Sequence, residues 1–353
     1  MRERDRRARG RRVVAIGGGT GLPVVLAALK QHLGSRVADL TAVVTVTDDG
    51  GSSGRLRDEL QVLPPGDIRT CLVALAEVEP LLADLFQFRF PAGGALAGHN
   101  FGNLFLAALA HVTGDFLRAI RFSGKVLAVR GTILPSTLDK VRLGAELADG
   151  EIVHGESRLR HARQPVRRVF LEPAAARALP EVLEAIARAD VVVLAPGSLY
   201  TSLIPNLLVE GVADALRAAA ALKLYVGNLM SEPGETDGLT LADHIEAIFA
   251  HAGRGVLDGV VVHGRAFPAA VLRRYRAAGA SPVVVDRERV QSLGVWLTDA
   301  ALTGRTEKAR HHPEKLGRVL LRLIRRGGPE GQPRVADSLA VATSGLLTHA
   351  TVE

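Results

Sequence analysis

Gly17, Gly18, Gly19 and Gly21 stand with Thr20 directly after the apolar run Val13 to Ile16, which puts four glycines and a hydroxyl at the end of a buried strand. Glycine has no Cβ, so consecutive amides can turn toward one anion, and a helix starting at Leu22 would add its positive N-terminal end. The chemistry this suits is the holding of a diphosphate. The dinucleotide fingerprint G-x-G-x-x-G is met only at Gly17 and Gly19, because Leu22 occupies the third position. No Gly-Lys-Ser/Thr follows, so this is not a Walker loop. A glycine turn of purely structural use is the competing reading of the loop taken alone.

Five other stretches could carry chemistry. Thr47-Asp48-Asp49-Gly50-Gly51-Ser52-Ser53-Gly54 ends the second strand, and its two carboxylates and two hydroxyls suit a ribose hydroxyl or a hydrated Mg²⁺. Alternatively it is a turn, with Ser53 capping the next helix. Pro64 to Thr70 is a rigid turn into a helix, with Asp67 as the N-cap candidate and Arg69 in the first turn, where a cation opposes the helix dipole unless an anion is near. Gly98-His99-Asn100-Phe101-Gly102-Asn103-Leu104 crowds amides and an imidazole at a helix start; Asn100 and Asn103 must cap or meet a ligand if buried. His99 has no second histidine at metal-ligand spacing, and His111 reads as a structural histidine.

The stretch Asp190 to Ser202 repeats the opening logic: a β-branched run, a Pro-Gly turn, then hydroxyls at a helix start. Gly197, Ser198, Tyr200, Thr201 and Ser202 would make a neutral anion cradle. The nucleophile elbow G-x-S-x-G is absent, which disfavours serine hydrolysis. In Gly227 to Thr236, Asn228 could read a base or sugar and Glu235 could accept from a ribose; a connection without ligand role is the alternative.

The elements that must position these residues alternate. β-branched runs at Val13 to Ile16, Leu40 to Val46, Val191 to Leu194, Leu222 to Val226, Val256 to Val262 and Pro282 to Val285 are separated by helical patterns such as Leu22 to Leu33 and Leu239 to Ala250. That rhythm predicts an α/β fold, a Rossmann-like, mostly parallel sheet with helices on both faces and ligands beyond the carboxyl ends of its strands. The first two loops then face one crevice if their strands are neighbours. Residues 125–170 break the rhythm and predict an inserted small antiparallel lobe. The expected organisation is a disordered basic arm over 1–11, the α/β domain over 12–326, and a flexible tail over 327–353 that opens with Gly-Gly-Pro-Glu-Gly-Gln-Pro.

Composition narrows the classes. The net charge of +7 is concentrated in the first twelve residues, where seven arginines stand against Glu3 and Asp5. With 4% aromatics there is little for bases to stack on, so no nucleic-acid partner is expected. The single cysteine, Cys71, excludes an internal disulfide framework and suits a reducing cytoplasm, and no run of about 18 apolar residues asks for a membrane.

Taken in order, G-G-G-T-G at 17–21, D-D-G-G-S-S-G at 48–54, P-G-D at 65–67, G-H-N-F-G-N-L at 98–104, P-G-S-L-Y-T-S-L-I-P-N-L-L at 196–208 and N-L-M-S-E-P-G-E-T-D-G at 228–238 resemble the gluconeogenesis-factor family. This is the YvcK-type branch of the superfamily that also contains 2-phospho-L-lactate transferase (CofD). The resemblance spans residues 12–320; Ser231-Glu232 stands where the family pattern has Thr-Gln, and Ala195 where it has Gly. It implies a Rossmann-like core binding a UDP-sugar such as UDP-N-acetylglucosamine or UDP-glucose, with a regulatory role in cell shape, envelope precursor supply and gluconeogenic growth. On that implication Gly17 to Gly21 and Gly197 to Ser202 hold the diphosphate, and Asp48, Asp49 and Asn228 contact sugar, ribose or metal. The family's C-terminal nucleotide contacts then fall at Tyr275 in R-R-Y-R and Arg310 in A-R-H-H-P. No cofactor is required beyond the nucleotide sugar, with Mg²⁺ admitted at Asp48 and Asp49; a homo-oligomer and protein partners are also admitted. Two other functions stay open: a Mg²⁺-dependent transferase acting on a phospholactyl nucleotide, and an NAD(P)-linked oxidoreductase, which Leu22 argues against.

Overall fold

Val13 to Gly17 are buried on both faces of their strand, as a β-branched run with no alternation requires. In the computed structural model, which describes residues 10–162, 164–304 and 308–327, this strand is an inner strand of the main sheet. Seven strands lie in the order β10-β9-β8-β7-β1-β2-β3. They are β1 (Arg11–Gly17), β2 (Val37–Val44), β3 (Thr132–Pro135), β7 (Val191–Leu194), β8 (Leu222–Val226), β9 (Gly259–His263) and β10 (Trp296–Ala300), and every neighbouring pair is parallel. A second, antiparallel sheet has β4 (Arg142–Leu147) between β5 (Ile152–His154) and β6 (Val166–Glu172). The expected α/β class and antiparallel lobe are both present.

The order of strands locates the crevice. From β1 the chain goes one way to β2 and β3, and later continues on the other side through β7, β8, β9 and β10. The reversal falls between β1 and β7, and at such a switch point the connections leave on opposite sides and open a cleft at the strands' carboxyl ends. Gly17 and Leu194 are those ends.

Two expectations are corrected. The stretch assigned to the lobe from 125 onward divides otherwise: the helix Phe116–Val126 closes at its start, and Thr132–Pro135 joins the parallel sheet beside β2, so the lobe's strands begin at Arg142. A short run with the right residues cannot announce which sheet it will enter. Pro282 to Val285 is no strand of the sheet; Pro282 makes one isolated bridge to Met230, and the edge is supplied by β10. Proline lacks the N–H that a ladder needs. Arg11 and Gly327, assigned to arm and tail, open β1 and follow the last helix respectively; residues 1–9 and 328–353 lie outside the described residues.

Helices cover both faces. The helix Gly21–Lys30 packs on the sheet and against the last helix, Pro313–Arg326, which turns Leu316, Leu320 and Leu323 inward at helical spacing. Cys71 is buried as a small hydrophobe in the helix Gly66–Leu75. Among the described residues no helix is long and apolar enough to cross a membrane.

Candidate functional site

Two turns meet at the switch point. The loop after β1 enters the helix Gly21–Lys30, and the loop after β7 enters a single π turn, Leu199–Leu203. Gly21 decides how close they come, since a Cβ there would overlap the Pro196 carbonyl oxygen. Gly19 holds φ at +58°, a left-handed conformation that L residues with side chains rarely adopt. A Cβ on Gly19 would stand 3.4 Å from Ser202 Oγ, so that hydroxyl of the second turn lies beside the first, while those of Ser198 and Thr201 donate to Glu232 and Glu235. Among the described residues the amides of Thr20 and Gly21 make no hydrogen bond within the chain, and both point from a helix start.

The third participant is Asp67, and its role differs from the expected cap. Pro65 holds the N-cap position of the helix Gly66–Leu75, while the Asp67 carboxylate accepts from the Gly19 amide at 2.8 Å. Burial pushes Asp67 up to about 6, with the Asp48 charge adding to it and the Gly19 hydrogen bond opposing. Asp67 therefore fixes the loop and uses one of its donors.

The loop after β2 lies against the same crevice. A Cβ on Gly66 would stand 3.0 Å from Asp48 Oδ2 and would meet Ser53 Oγ. Its helix, Gly51–Leu60, has Gly50 at the N-cap with no side-chain cap, so Ser53 is not the cap. Asp48 Oδ1 accepts from the Gly50 amide at 2.9 Å. Asp49 reaches the lobe instead, where its Oδ1 accepts from the amide and hydroxyl of Ser157, both at 2.8 Å. The two aspartates thus serve different elements, and Asp48 keeps its Oδ2 beside Gly66, at the start of the helix that carries Asp67.

Ser52 belongs to a polar network beneath. Its hydroxyl accepts from the Asn100 amide at 3.2 Å and from Asn103 Nδ2 at 3.2 Å, and lies 3.4 Å from His99 Nδ1. Asn100 caps the helix Phe101–Thr113 by accepting from the Asn103 amide, and Asn103 Oδ1 accepts from Arg69 Nε at 2.9 Å. These expected ligand contacts bond to one another, which satisfies groups that would be expensive to bury alone. Arg69 sits where a carbonyl partner in Asn103 compensates its unfavourable place in a helix's first turns.

The segment after β8 closes the crevice. Asn228 is a clamp: its Oδ1 accepts from the Gly197 amide at 3.0 Å and its Nδ2 donates to the Gly197 carbonyl at 2.8 Å. Glu235 is buried and accepts from the Tyr200 amide at 2.7 Å and the Thr201 amide at 3.3 Å, so it holds the π turn. Burial, then the charge of Glu232, push Glu235 up to about 7, against those two amides and Arg160. Both residues position backbone, the connecting role that the sequence leaves open beside contact with a base or ribose, and Asn228 also lines the cavity described next. Asn206, passed over in the sequence, does the same from 0% exposure by donating to the carbonyls of Gly17 and Ser202.

A cavity of about 330 Å³ opens between these elements. It is lined by Thr20, Gly21, Pro196 and Gly197, by Asn228 to Glu232, and by Tyr275 with the segment Ala309 to His311. Tyr275 Oη donates to the Ala309 carbonyl at 3.4 Å, tying the helix Ala269–Ala277 to that segment. Glu232 is the cavity's carboxylate, a residue that sequence reasoning quoted and did not select.

A glycine turn at the switch point of an open parallel sheet, with unpaired amides at a helix start, places this chain among α/β proteins with a crevice at their strand ends. The model of the family described as 2-phospho-L-lactate transferase CofD matches residues 13–303. A putative gluconeogenesis factor of Nostoc sp. is 52% identical over 317 residues, covering 89% of this chain and 69% of that one. The gluconeogenesis factor of Bacillus subtilis is 44% identical over 315 residues, 89% of this chain and 98% of its own. The crystal structure of a UPF0052-family protein from Bacillus halodurans superposes with a TM-score of 0.85 at 47% identity, covering 89% of this chain and 99% of that one. The chain belongs to the CofD-like family, in its gluconeogenesis-factor branch.

Proposed function

We propose that this chain is a cytoplasmic regulatory protein that binds a UDP-sugar, such as UDP-N-acetylglucosamine or UDP-glucose, without turning it over. The observation that carries the reading is the cavity's lining: free helix-start amides at Thr20 and Gly21, together with Tyr275 and Arg310. The amides suit a diphosphate; the phenol ring and guanidinium suit the nucleoside and the remaining phosphate charge. Its relatives' name supports a role in gluconeogenic growth, which we extend to cell shape and envelope precursor supply.

Calorimetry with UDP-N-acetylglucosamine in metal-free buffer tests this. Binding to the wild type is expected, with a loss of about tenfold or more in Arg310→Ala, the scale of a charge-assisted hydrogen bond. Absence of binding to the wild type would overturn it. A valine at Gly19 is the less informative variant, because the +58° φ adds backbone strain to any effect on the ligand.

The family match favours a second reading, a Mg²⁺-dependent transferase acting on a phospholactyl nucleotide. Asp48 Oδ2 is the carboxylate oxygen that would face the metal, which needs one or two carboxylates besides phosphate oxygens and water. Release of nucleoside monophosphate with a deazaflavin acceptor would establish it in place of the first.

A further inference from the structure

Charge is placed unevenly around the cavity. Of its lining side chains, Glu232 brings one carboxylate and Arg310 one guanidinium, while burial pushes the His311 imidazole down to about 4, leaving it neutral. The side chains therefore sum to zero, and the amides at Thr20 and Gly21 supply only the partial charge of a helix start. Glu232 stands beside the turn after β7, whose Gly197 approaches the Gly21 amide: its Oε2 accepts from Ser198 Oγ, next to Gly197, and its own amide donates to Thr236 Oγ1 at 2.8 Å. Hydrogen bonds thus hold it at both backbone and side chain.

We propose that Glu232 makes the cavity selective by charge, favouring a nucleoside diphosphate whose terminal phosphate is esterified over the free nucleoside diphosphate. This rests on the nucleotide-sugar reading and adds to it the property that decides among ligands sharing one nucleoside. At neutral pH a terminal phosphate carries most of a second negative charge, with its last pKa near 6, whereas an ester removes that charge. Each extra charge beside a fixed carboxylate in a partly desolvated cleft is unfavourable, and the neutral side-chain total leaves little to offset it. Glutamine at 232 keeps an oxygen for the Ser198 hydroxyl and removes only the charge.

The test is calorimetric affinity for UDP and for UDP-N-acetylglucosamine, in the wild type and in Glu232→Gln, at pH 7.5. The variant is expected to bind UDP about tenfold tighter and the sugar ester much less improved, so that the preference narrows. An unchanged ratio of the two affinities overturns charge selectivity and leaves nucleotide-sugar binding standing. Binding of neither ligand by the wild type removes the nucleotide-sugar reading, and the selectivity with it. Should the variant not fold, the wild type alone decides: the methyl ester of UDP adds almost no contact area, and it is expected to bind tighter than UDP. Equal or weaker binding of the methyl ester overturns the proposal.

Discussion

Asp67 shows how one side chain can be both a positioning group and a cost. It accepts from the Gly19 amide while lying half-buried near Asp48, and its acidity is weakened to about 6 from 3.8. A folded value raised above the unfolded one gives a contribution fully present below about 3.8 and lost as pH rises through about 6. Asp67→Asn keeps a carbonyl oxygen for Gly19 and removes the charge. The variant is expected to exceed the wild type in stability by about 2 kcal/mol at pH 7.5, with the gap closing toward pH 4. Urea denaturation of both proteins at the two pH values measures this; a gap that does not change with pH would show that the carboxylate is not strained by ionisation. A stabilising change at this place would be consistent with a loop shaped for ligand at the expense of stability.

At the scale of elements, turns are held by side chains from other turns. The π turn Leu199–Leu203 depends on Glu235, whose carboxylate takes the Tyr200 and Thr201 amides across about thirty residues of sequence. Glu235→Ala leaves both amides buried without an acceptor, and a loss of about 2 kcal/mol in stability is expected, with faster amide exchange over 199–203. Glu235→Gln, which retains an acceptor, should lose much less. Exchange rates equal to the wild type in the alanine variant would mean that the turn stands by itself. Asp49 makes the comparable link to the lobe through Ser157, where the sequence suggested sugar or metal contact. The element boundaries were legible where burial is complete: Val191–Leu194 and Leu222–Val226 are the strands that their β-branched runs predict. They were not legible at Thr132–Pro135, because strand residues carry no mark of the partner that will accept their hydrogen bonds.

The whole molecule places its last helix against the one that follows the glycine loop. Gly317 lies so close to the helix Gly21–Lys30 that a Cβ on it would be 2.6 Å from the Ala28 carbonyl oxygen. Gly317→Ala gains about 1 kcal/mol in helix propensity, yet the backbone oxygen opposite cannot move aside cheaply. A net loss of about 1 to 3 kcal/mol is expected, together with weaker ligand binding, because the displaced helix begins at Gly21. Thermal unfolding and calorimetry read the two effects; a variant more stable than the wild type would show that the helices separate without consequence.

What the sequence by itself determined is the class of fold and the list of turns at which ligand chemistry can occur. The alternation of buried runs with helical patterns allows few other solutions for burying apolar surface, and glycines directly after a strand restrict the backbone locally. Only the tertiary structure decided which partner each polar side chain in those turns meets. Asp67 and Glu235 spend hydrogen bonds on backbone groups of distant turns, Asn228 does so while also lining the cavity, and Glu232 lines it with Tyr275 and Arg310. A carboxylate or amide that clamps a turn has the same identity as one that meets a substrate; the difference is the partner it finds, and that partner is set by the crossing of the chain between β1 and β7.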